Sequence, residues 1–342
     1  MTIQEQSGLI SELTTLEKPE LSFSGSTGLS TNPEVLLFGH TGRLGREILK
    51  VYGENCQTVD RRDCDFTDAD SVKAIVRKSK AKTVINAVAM NGIETCEYTP
   101  DDAYKINAET PLAIANACTD TGALFVHYST DYTVFGSGDR LKEKDDAINN
   151  TISGMIPLLG DAYSLSKYRA ESLIGKSRAR HLILRLSSIY STDTLEGPLG
   201  PVKQYMEEGK GTKENPIKVL KQFCTPTSTV LIAQKTRQIL HKLDTVNFLH
   251  QSGGMTFNLV CNGPEWKRTF AWHALWLFAP GASLQKVEIK EGELRMPRPV
   301  FSALSPMKLH ARLGIRMPSV MEDLEEAAKR WGLEQKMKVT VH

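Results

Sequence analysis

Tyr163 and Lys167 stand four residues apart in the run YSLSK (163–167). On a helix that spacing puts both side chains on one face, about one turn apart. A free tyrosine titrates near pH ~10, too high for proton traffic at neutrality. An ammonium beside it favours the phenolate and lowers that value. The pair is a candidate proton donor with its tuning cation, although Tyr-x-x-x-Lys alone also suits an ordinary exposed helix. A third chemical group precedes it. The run HYSTDY (127–132) ends an apolar stretch, so Ser129 and Thr130 fall at the carboxyl end of a predicted central strand, where open parallel sheets form their clefts. A hydroxyl there can donate to a carbonyl oxygen as it gains negative charge. It can equally cap the next turn.

Further upstream, GHTGRLG (39–45) joins the apolar run EVLLF to the helical pattern REILKVYG. Gly39 permits a tight turn, Gly42 a close backbone approach to a pyrophosphate, and Gly45 close packing of helix on strand; the helix N-terminus then presents free N–H groups to the anion. The spacing, with two residues between the first two glycines, is that of extended short-chain dehydrogenase relatives. Asp60 ends the next apolar run about 20 residues on, where an acid bonds the adenosine ribose hydroxyls and favours NADH. Arg61 and Arg62 follow at once and suit a 2′-phosphate, which favours NADPH, so the choice of dinucleotide stays open. Asp65 and Phe66 come next and are placed to lie against an adenine.

The elements that must position these residues are legible as a rhythm. Apolar runs VLLFG, KTVINAVA, ALFVHYST and HLILRLSSIY alternate with helical-period segments. Continuous apolar strands separated by helices indicate a parallel sheet covered on both faces. The expected fold class is therefore α/β, a doubly wound parallel sheet over residues 34–190, with a smaller mixed α/β region over 191–342 that completes a cleft. TFNLV (256–260) and QKVEIK (285–290) read as isolated strands, the former a place where the chain can return to the main sheet. TFAWHALWLF and VMEDLEEAAKRWG read as amphipathic helices, and Trp266, Trp272, Trp276 and Trp331 as packing residues. Residues 1–33, rich in Ser, Thr, Glu and Gly, read as a disordered or linker-like tail.

The bulk numbers exclude several classes. With 42 Lys and Arg against 40 Asp and Glu, the net charge of +2 gives no support for a nucleic-acid or membrane-surface partner. No apolar run approaches the roughly 20 residues that span a bilayer, and no secretory signal is visible, so the cytoplasm is the expected location. Six cysteines lie scattered without CxxC or zinc spacing, which suits reduced, mostly buried thiols and no bound metal.

With these residues assembled, the chain from about Glu34 onward resembles the dTDP-4-dehydrorhamnose reductase family, a branch of the extended short-chain dehydrogenases with a Rossmann fold. LLFGHTGRLG, VDRRDCDFTD, VINAVA, HYSTDY, AYSLSK, LRLSSIY, QFCTPT and RPVFSAL are similar to that family's segments and fall in its order. The resemblance implies an NADPH or NADH cofactor held by Gly39, Thr41, Gly42, Arg43, Leu44, Gly45, Asp60, Arg61, Asp65, Phe66, Ala87, Val88, Ala89 and Tyr128, together with Tyr163 and Lys167. It implies a catalytic triad of Thr130, Tyr163 and Lys167. The implied reaction is hydride transfer to the C4 ketone of a nucleotide-linked 4-keto-6-deoxy sugar, with Thr130, Asp131 and Ile189 at the sugar. Some family members pair, so a homodimer is open. The chain departs from the family in Thr133, an apparent extra residue after STDY; in a segment, 137–161, longer than the family norm and suited to a reshaped pocket or lid; in Ile189, where a tryptophan is common; and in Lys221, where an acid is common. Two other functions stay open on this scaffold. One is a nucleotide-sugar epimerase or dehydratase, for which Asp131 is the nearest additional acid or base. The other is a dinucleotide-binding regulatory subunit like the β subunit of methionine adenosyltransferase.

Overall fold

The apolar runs of the first half pair into one parallel sheet. The computed structural model describes residues 33–134, 161–245, 253–279, 287–292 and 298–340. The expectations for the tail, 1–33, and for the segment 137–161 lie outside these residues, except for Pro33 and Asp161 at their ends. The sheet contains β1 (Val35–Phe38), β2 (Cys56–Val59), β3 (Thr83–Asn86), β4 (Leu124–Thr130), β5 (His181–Leu186) and β6 (Gly254–Asn258) in the order β6-β5-β4-β3-β1-β2. The order reverses between β1 and β3, where Phe38 pairs with Asn86. Chain connections leave that point in opposite directions, so a crevice opens beyond the strand ends.

Side-chain alternation explains the two layers of helix. Val35 and Leu37 enter one core with Leu182, Leu184 and Phe257, and Leu36 and Phe38 enter the other with Val84, Phe125 and Ile183. The first face is covered by α1 (Arg43–Tyr52), through Leu44 and Ile48, and by Leu231, Ile232 and Ile239 of a later helix, Thr229–Thr245. The second is covered by α2 (Ala69–Ser79), α3 (Thr110–Thr121) and α4 (Ala162–Lys176), through Val72, Val76, Ile114 and Ile174. Each such side chain, fully buried, is worth about 1.5–3 kcal/mol. Asp68 caps α2 by accepting from the Asp70 and Ser71 amides, and Asp161 caps α4 by accepting from the Ser164 amide at 2.8 Å.

The remainder of the chain builds a lobe at the carboxyl end of the sheet. Besides the sheet-covering helix Thr229–Thr245 (α5), this part of the chain contains α6 (Lys267–Phe278), α7 (Val320–Thr340) and three short ladders, 189–190 with 227–228, 217–219 with 289–291, and 223–224 with 265–266. Trp266 packs on Phe223 and Phe301, and Trp331 on Phe278. Trp272 lies against the core, but Trp276 is 62% exposed. The α6 turn that carries Trp276 therefore presents it away from the packed stripe formed by Phe270, Ala271, Ala274 and Phe278. Among the described residues no helix is long and apolar enough to cross a membrane.

The glycine turn after β1 is held by contact rather than by habit. Gly39 has a φ of +85°, and a Cβ built on Gly45 would stand 2.0 Å from the Gly39 carbonyl oxygen. A Cβ on Gly42 meets its nearest atom at 3.4 Å, with φ at −73°. Gly45→Ala is therefore expected to destabilise the fold by about 1–3 kcal/mol, the usual penalty for overpacking, whereas Gly42→Ala should unfold in urea close to the parent. Equal midpoints for the two variants would contradict the packing role of Gly45.

Candidate active site

The cleft at the strand switch point begins with a helix end left open. Gly42 is the N-cap of α1 and offers no side-chain cap, and the first turn holds no acidic residue. The helix thus keeps its partial positive charge and unbonded N–H groups for an outside anion. The Gly42 amide donates to the Gly39 carbonyl at 3.2 Å, and Arg46 Nη1 braces the turn through the Thr41 carbonyl at 3.1 Å. Gly42, Arg43 and Leu44 face the cleft, and Arg43 Nε lies 3.5 Å from Glu196 Oε2.

At the end of β2, Asp60 is buried and already occupied. Arg62 donates from Nη2 to Oδ2 at 2.6 Å, from Nε to both carboxylate oxygens, and from its backbone amide to Oδ1 at 2.8 Å. His40 Nε2 stands 3.8 Å away. The Arg62 hydrogen bonds hold the Asp60 carboxyl down at about 2. Arg62, rather than Arg61, thus takes the acid; Arg61 is exposed. Asp65 is exposed and accepts from the Thr67 amide and hydroxyl, both at 2.8 Å. Phe66 is buried edge-on to Phe38, and its carbonyl accepts the Thr110 hydroxyl.

The opposite wall is built by β3, β4 and α4. Ala87, Val88, Ala89, Tyr128, Thr130, Asp131, Tyr163, Lys167 and Ile189 all line the cleft. Gly39 and Gly45 are not among the lining residues; Gly45 packs on the Gly39 carbonyl and Gly39 lies beside Ala87 and Val88. Sequence reasoning had not singled out the lining residues Asn86, Asn91, Leu186 and Ser188. Ser188 adopts a φ of +45°, a conformation that costs energy in a non-glycine residue and is found at functional sites.

Lys167 lies almost fully buried and donates from Nζ to the Tyr128 carbonyl at 2.7 Å. Burial lowers its pKa to about 8, with Glu171 opposing. Tyr163 stacks edge-to-face with Tyr132, ring centroids 5.9 Å apart. Any lowering of the Tyr163 phenol by Lys167 is outweighed by burial. Burial raises Tyr163 above its ordinary value, and the Thr130 hydroxyl is the group that opposes the rise. Lys167 Nζ is bonded to the Tyr128 carbonyl, which draws it toward β4. Asp131 is buried among hydroxyls: it accepts from Thr130 Oγ1 at 2.9 Å and Ser187 Oγ at 2.9 Å. Burial raises its pKa, while the hydroxyls of Ser302, Thr130 and Ser187 pull it back.

Two further groups hold this wall. Asn107 sits in a single π-helical turn, Lys105–Glu109. Its Oδ1 accepts from the Met90 amide at 2.8 Å, and its Nδ2 donates to the Met90 carbonyl at 3.1 Å and to Ser166 Oγ at 3.0 Å. It therefore ties the loop after β3 to the helix carrying Tyr163 and Lys167. Glu171 and Arg185 form a buried two-pronged ion pair, with Nε to Oε1 at 2.9 Å and Nη2 to Oε2 at 2.6 Å. Burial pushes Glu171 upward, but the Arg185 charge and its hydrogen bonds bring the carboxyl below its ordinary value. Thr133, the apparent extra residue, is the link from this pair to the turn that carries Thr130. Its Oγ1 lies 3.0 Å from Glu171 Oε1 and 2.9 Å from the Thr130 carbonyl.

The chain is similar to several known proteins. A family model described as the RmlD substrate binding domain matches residues 33–332. The dTDP-4-dehydrorhamnose reductase of Salmonella typhimurium is 30% identical over 232 residues, covering 65% of this chain and 73% of its own. The crystal structure of a dTDP-4-dehydrorhamnose reductase from Clostridium acetobutylicum is 28% identical, with a TM-score of 0.68 over 86% of this chain and 98% of its own. That of dTDP-4-dehydrorhamnose reductase from Bacillus anthracis in complex with NADP shares the fold at 21% identity, with a TM-score of 0.67 over 89% and 99% of the two chains.

The buried pair makes a clear stability prediction. Arg185→Met leaves Glu171 charged and unpaired, and should cost about 3–5 kcal/mol in denaturant unfolding. Adding Glu171→Leu should recover most of that loss. A double variant no more stable than the single would contradict the pairing.

Proposed function

The chain belongs to the dTDP-4-dehydrorhamnose reductase family, and from that membership and the cleft described above we propose that it reduces a nucleotide-linked 4-keto-6-deoxy sugar at C4 with NADPH or NADH. The observation that carries the reading is the convergence of Thr130, Tyr163 and Lys167 on the cleft that begins at the open N-terminus of α1. We further propose a division of labour in which residues 34–190 bind the dinucleotide and residues 191–342 mainly bind the sugar nucleotide.

The residues suit a dinucleotide on their own geometry. The uncapped helix end and the glycine turn form an anion cradle, with room above Gly42 for a close approach. Gly42, Arg43 and Leu44 would hold the pyrophosphate, and Ala87, Val88, Ala89 and Tyr128 would flank the nucleotide. The reduced nicotinamide, when bound, supplies the hydride. Thr130, whose hydroxyl donates to Asp131 Oδ1 at 2.9 Å, would turn that hydrogen to the ketone oxygen and orient it. Tyr163 delivers its proton to that oxygen as it becomes an alkoxide. Burial keeps the phenol protonated until that moment, which suits an acid rather than a base. Lys167, one turn along the helix, is the cation that stabilises the phenolate left behind. Asp131 and Ile189 line the sugar side.

Two measurements follow from this reading. Tyr163→Phe should lower turnover of a dTDP-4-keto-6-deoxy sugar by a factor of about 10²–10⁴, the range for a lost general acid, while dinucleotide affinity measured by fluorescence stays near the parent value. A variant that keeps most of its activity would remove Tyr163 as proton donor. The second concerns the choice of dinucleotide. Arg62 neutralises Asp60, so the acid does not repel a 2′-phosphate, and Arg62→Ala should raise the KM for NADPH relative to NADH about tenfold, one charge-assisted hydrogen bond's worth. A larger change in Arg61→Ala than in Arg62→Ala would return that role to Arg61.

A further inference from the structure

Behind Lys167 lies a fully buried imidazole that the reaction above does not use. His127, on β4, places Nε2 3.3 Å from Lys167 Nζ and Nδ1 3.3 Å from Asn86 Nδ2. The orientation of the Asn86 amide is fixed from outside, because its Oδ1 accepts the Val88 amide at 3.0 Å. Asn86 therefore turns its NH₂ group, a donor, toward His127 Nδ1. A neutral imidazole has one donor and one acceptor nitrogen. Nδ1 accepts from Asn86, so Nε2 carries the hydrogen and points it at Lys167.

That assignment has a consequence for the lysine. An uncharged amine can accept from His127 Nε2–H with its lone pair while donating to the Tyr128 carbonyl at 2.7 Å. An ammonium has donors only. It would face the Nε2–H donor to donor, or force the imidazole hydrogen onto Nδ1 and against the Asn86 NH₂ group. Either way one buried hydrogen bond is lost when Lys167 is charged. A doubly protonated His127 is worse still, since burial, the Lys167 charge and His181 all oppose it. The other ionisable groups around this pair are Glu171 and Tyr163 on the lysine's own helix, and His181 at the start of β5. Glu171 favours the ammonium, but it is already committed to Arg185.

We propose that His127 is a positioning residue for Lys167: held as the Nε2–H tautomer by Asn86, it presents a donor to the lysine nitrogen and makes the uncharged amine the better-bonded form. Its effect on turnover rests on the reductase reading, in which the Lys167 charge stabilises the Tyr163 phenolate; its geometry does not. Lys167 then exchanges its proton near the working pH of the cleft, and turnover declines on the alkaline side as the charge is lost.

The test separates these two layers. Long-range proton–nitrogen correlation spectra of the full chain labelled with ¹⁵N-histidine identify the tautomer of the ring in contact with Phe125, which neighbours His127. The Nε2–H form is expected near neutral pH. An Nδ1–H tautomer or a charged ring overturns the proposal, whatever the activity. The second measurement is the pH profile of turnover in the parent and in His127→Gln, whose amide can rotate its oxygen toward Lys167. The alkaline limb, expected near pH 8 in the parent, should rise by about one pH unit, the tenfold change in proton affinity that one hydrogen bond amounts to, with little change in the KM for the dinucleotide. An active variant with an unmoved limb overturns the proposal. Should the variant not fold, the tautomer of the parent still decides, and should the sugar not be reduced, the tautomer is read all the same.

Discussion

Helix α4 carries two ionisable side chains out of water one turn apart, Lys167 at 2% exposure and Glu171 at 9%. Isolated buried charges are costly, so each must find a partner. Glu171 finds Arg185 on β5, and Lys167 finds the Tyr128 carbonyl on β4, with the His127 ring 3.3 Å from its nitrogen. Those two sets of bonds lock the helix onto the strands at one angle, and Tyr163 at its start is thereby aimed into the cleft. Thr133 reaches the same glutamate and returns to the Thr130 carbonyl, so the hydroxyl-bearing turn is referenced to the helix. Asn107 completes the frame by tying Met90 to Ser166. Thr130, Tyr163 and Lys167 are held by a polar scaffold inside an apolar core, which gives precise placement at the price of intolerance to single losses.

The C-terminal half is joined to this frame by the same kind of bond. Asp131, at the end of β4, accepts from Ser187 beyond β5, and Ser187 Oγ also reaches the Ser302 carbonyl at 3.3 Å. Gln222 links Ser302 to the Tyr132 hydroxyl. Deeper in the lobe, Asp323 accepts from Tyr190, from the Ser228 hydroxyl and from the Ser228 amide, pinning α7 against the short ladder at 189–190. Arg298 pairs with Glu94 at 2.7 Å. The hydroxyls and amides between the two halves therefore have their positions set by buried carboxylates.

Much of this was legible in the residues. The continuous apolar runs declared buried parallel strands, and the glycine turn, Thr130, Tyr163 and Lys167 converge as their order along the chain implied. The sequence hid what depends on side-chain direction. Arg61 and Arg62 are equivalent as letters, and only the turn after β2 decides that Arg62 folds back onto Asp60. An i, i+4 pair says that Lys167 and Tyr163 share a face, but not that the lysine is drawn toward a β4 carbonyl. Asn107 gave one clue, a polar residue in the alanine-rich run INAETPLAIANA, whose burial the spacing alone does not reveal. Thr133 reads as an insertion in a motif and proves to be a tie between the Thr130 turn and the ion pair.

The central claim is that this scaffold brings a ketone carbon and a hydride source together in one cleft. The direct measurement uses dihydronicotinamide dinucleotide carrying deuterium at its transferring C4 position, incubated with the protein and a dTDP-4-keto-6-deoxy sugar, with the product read by mass spectrometry and NMR. The account predicts deuterium at C4 of the sugar, as the reduced 4-hydroxy product, with one label transferred per dinucleotide oxidised. Conversion of the sugar without label, or tight dinucleotide binding with no transfer to any 4-keto sugar nucleotide, would contradict it.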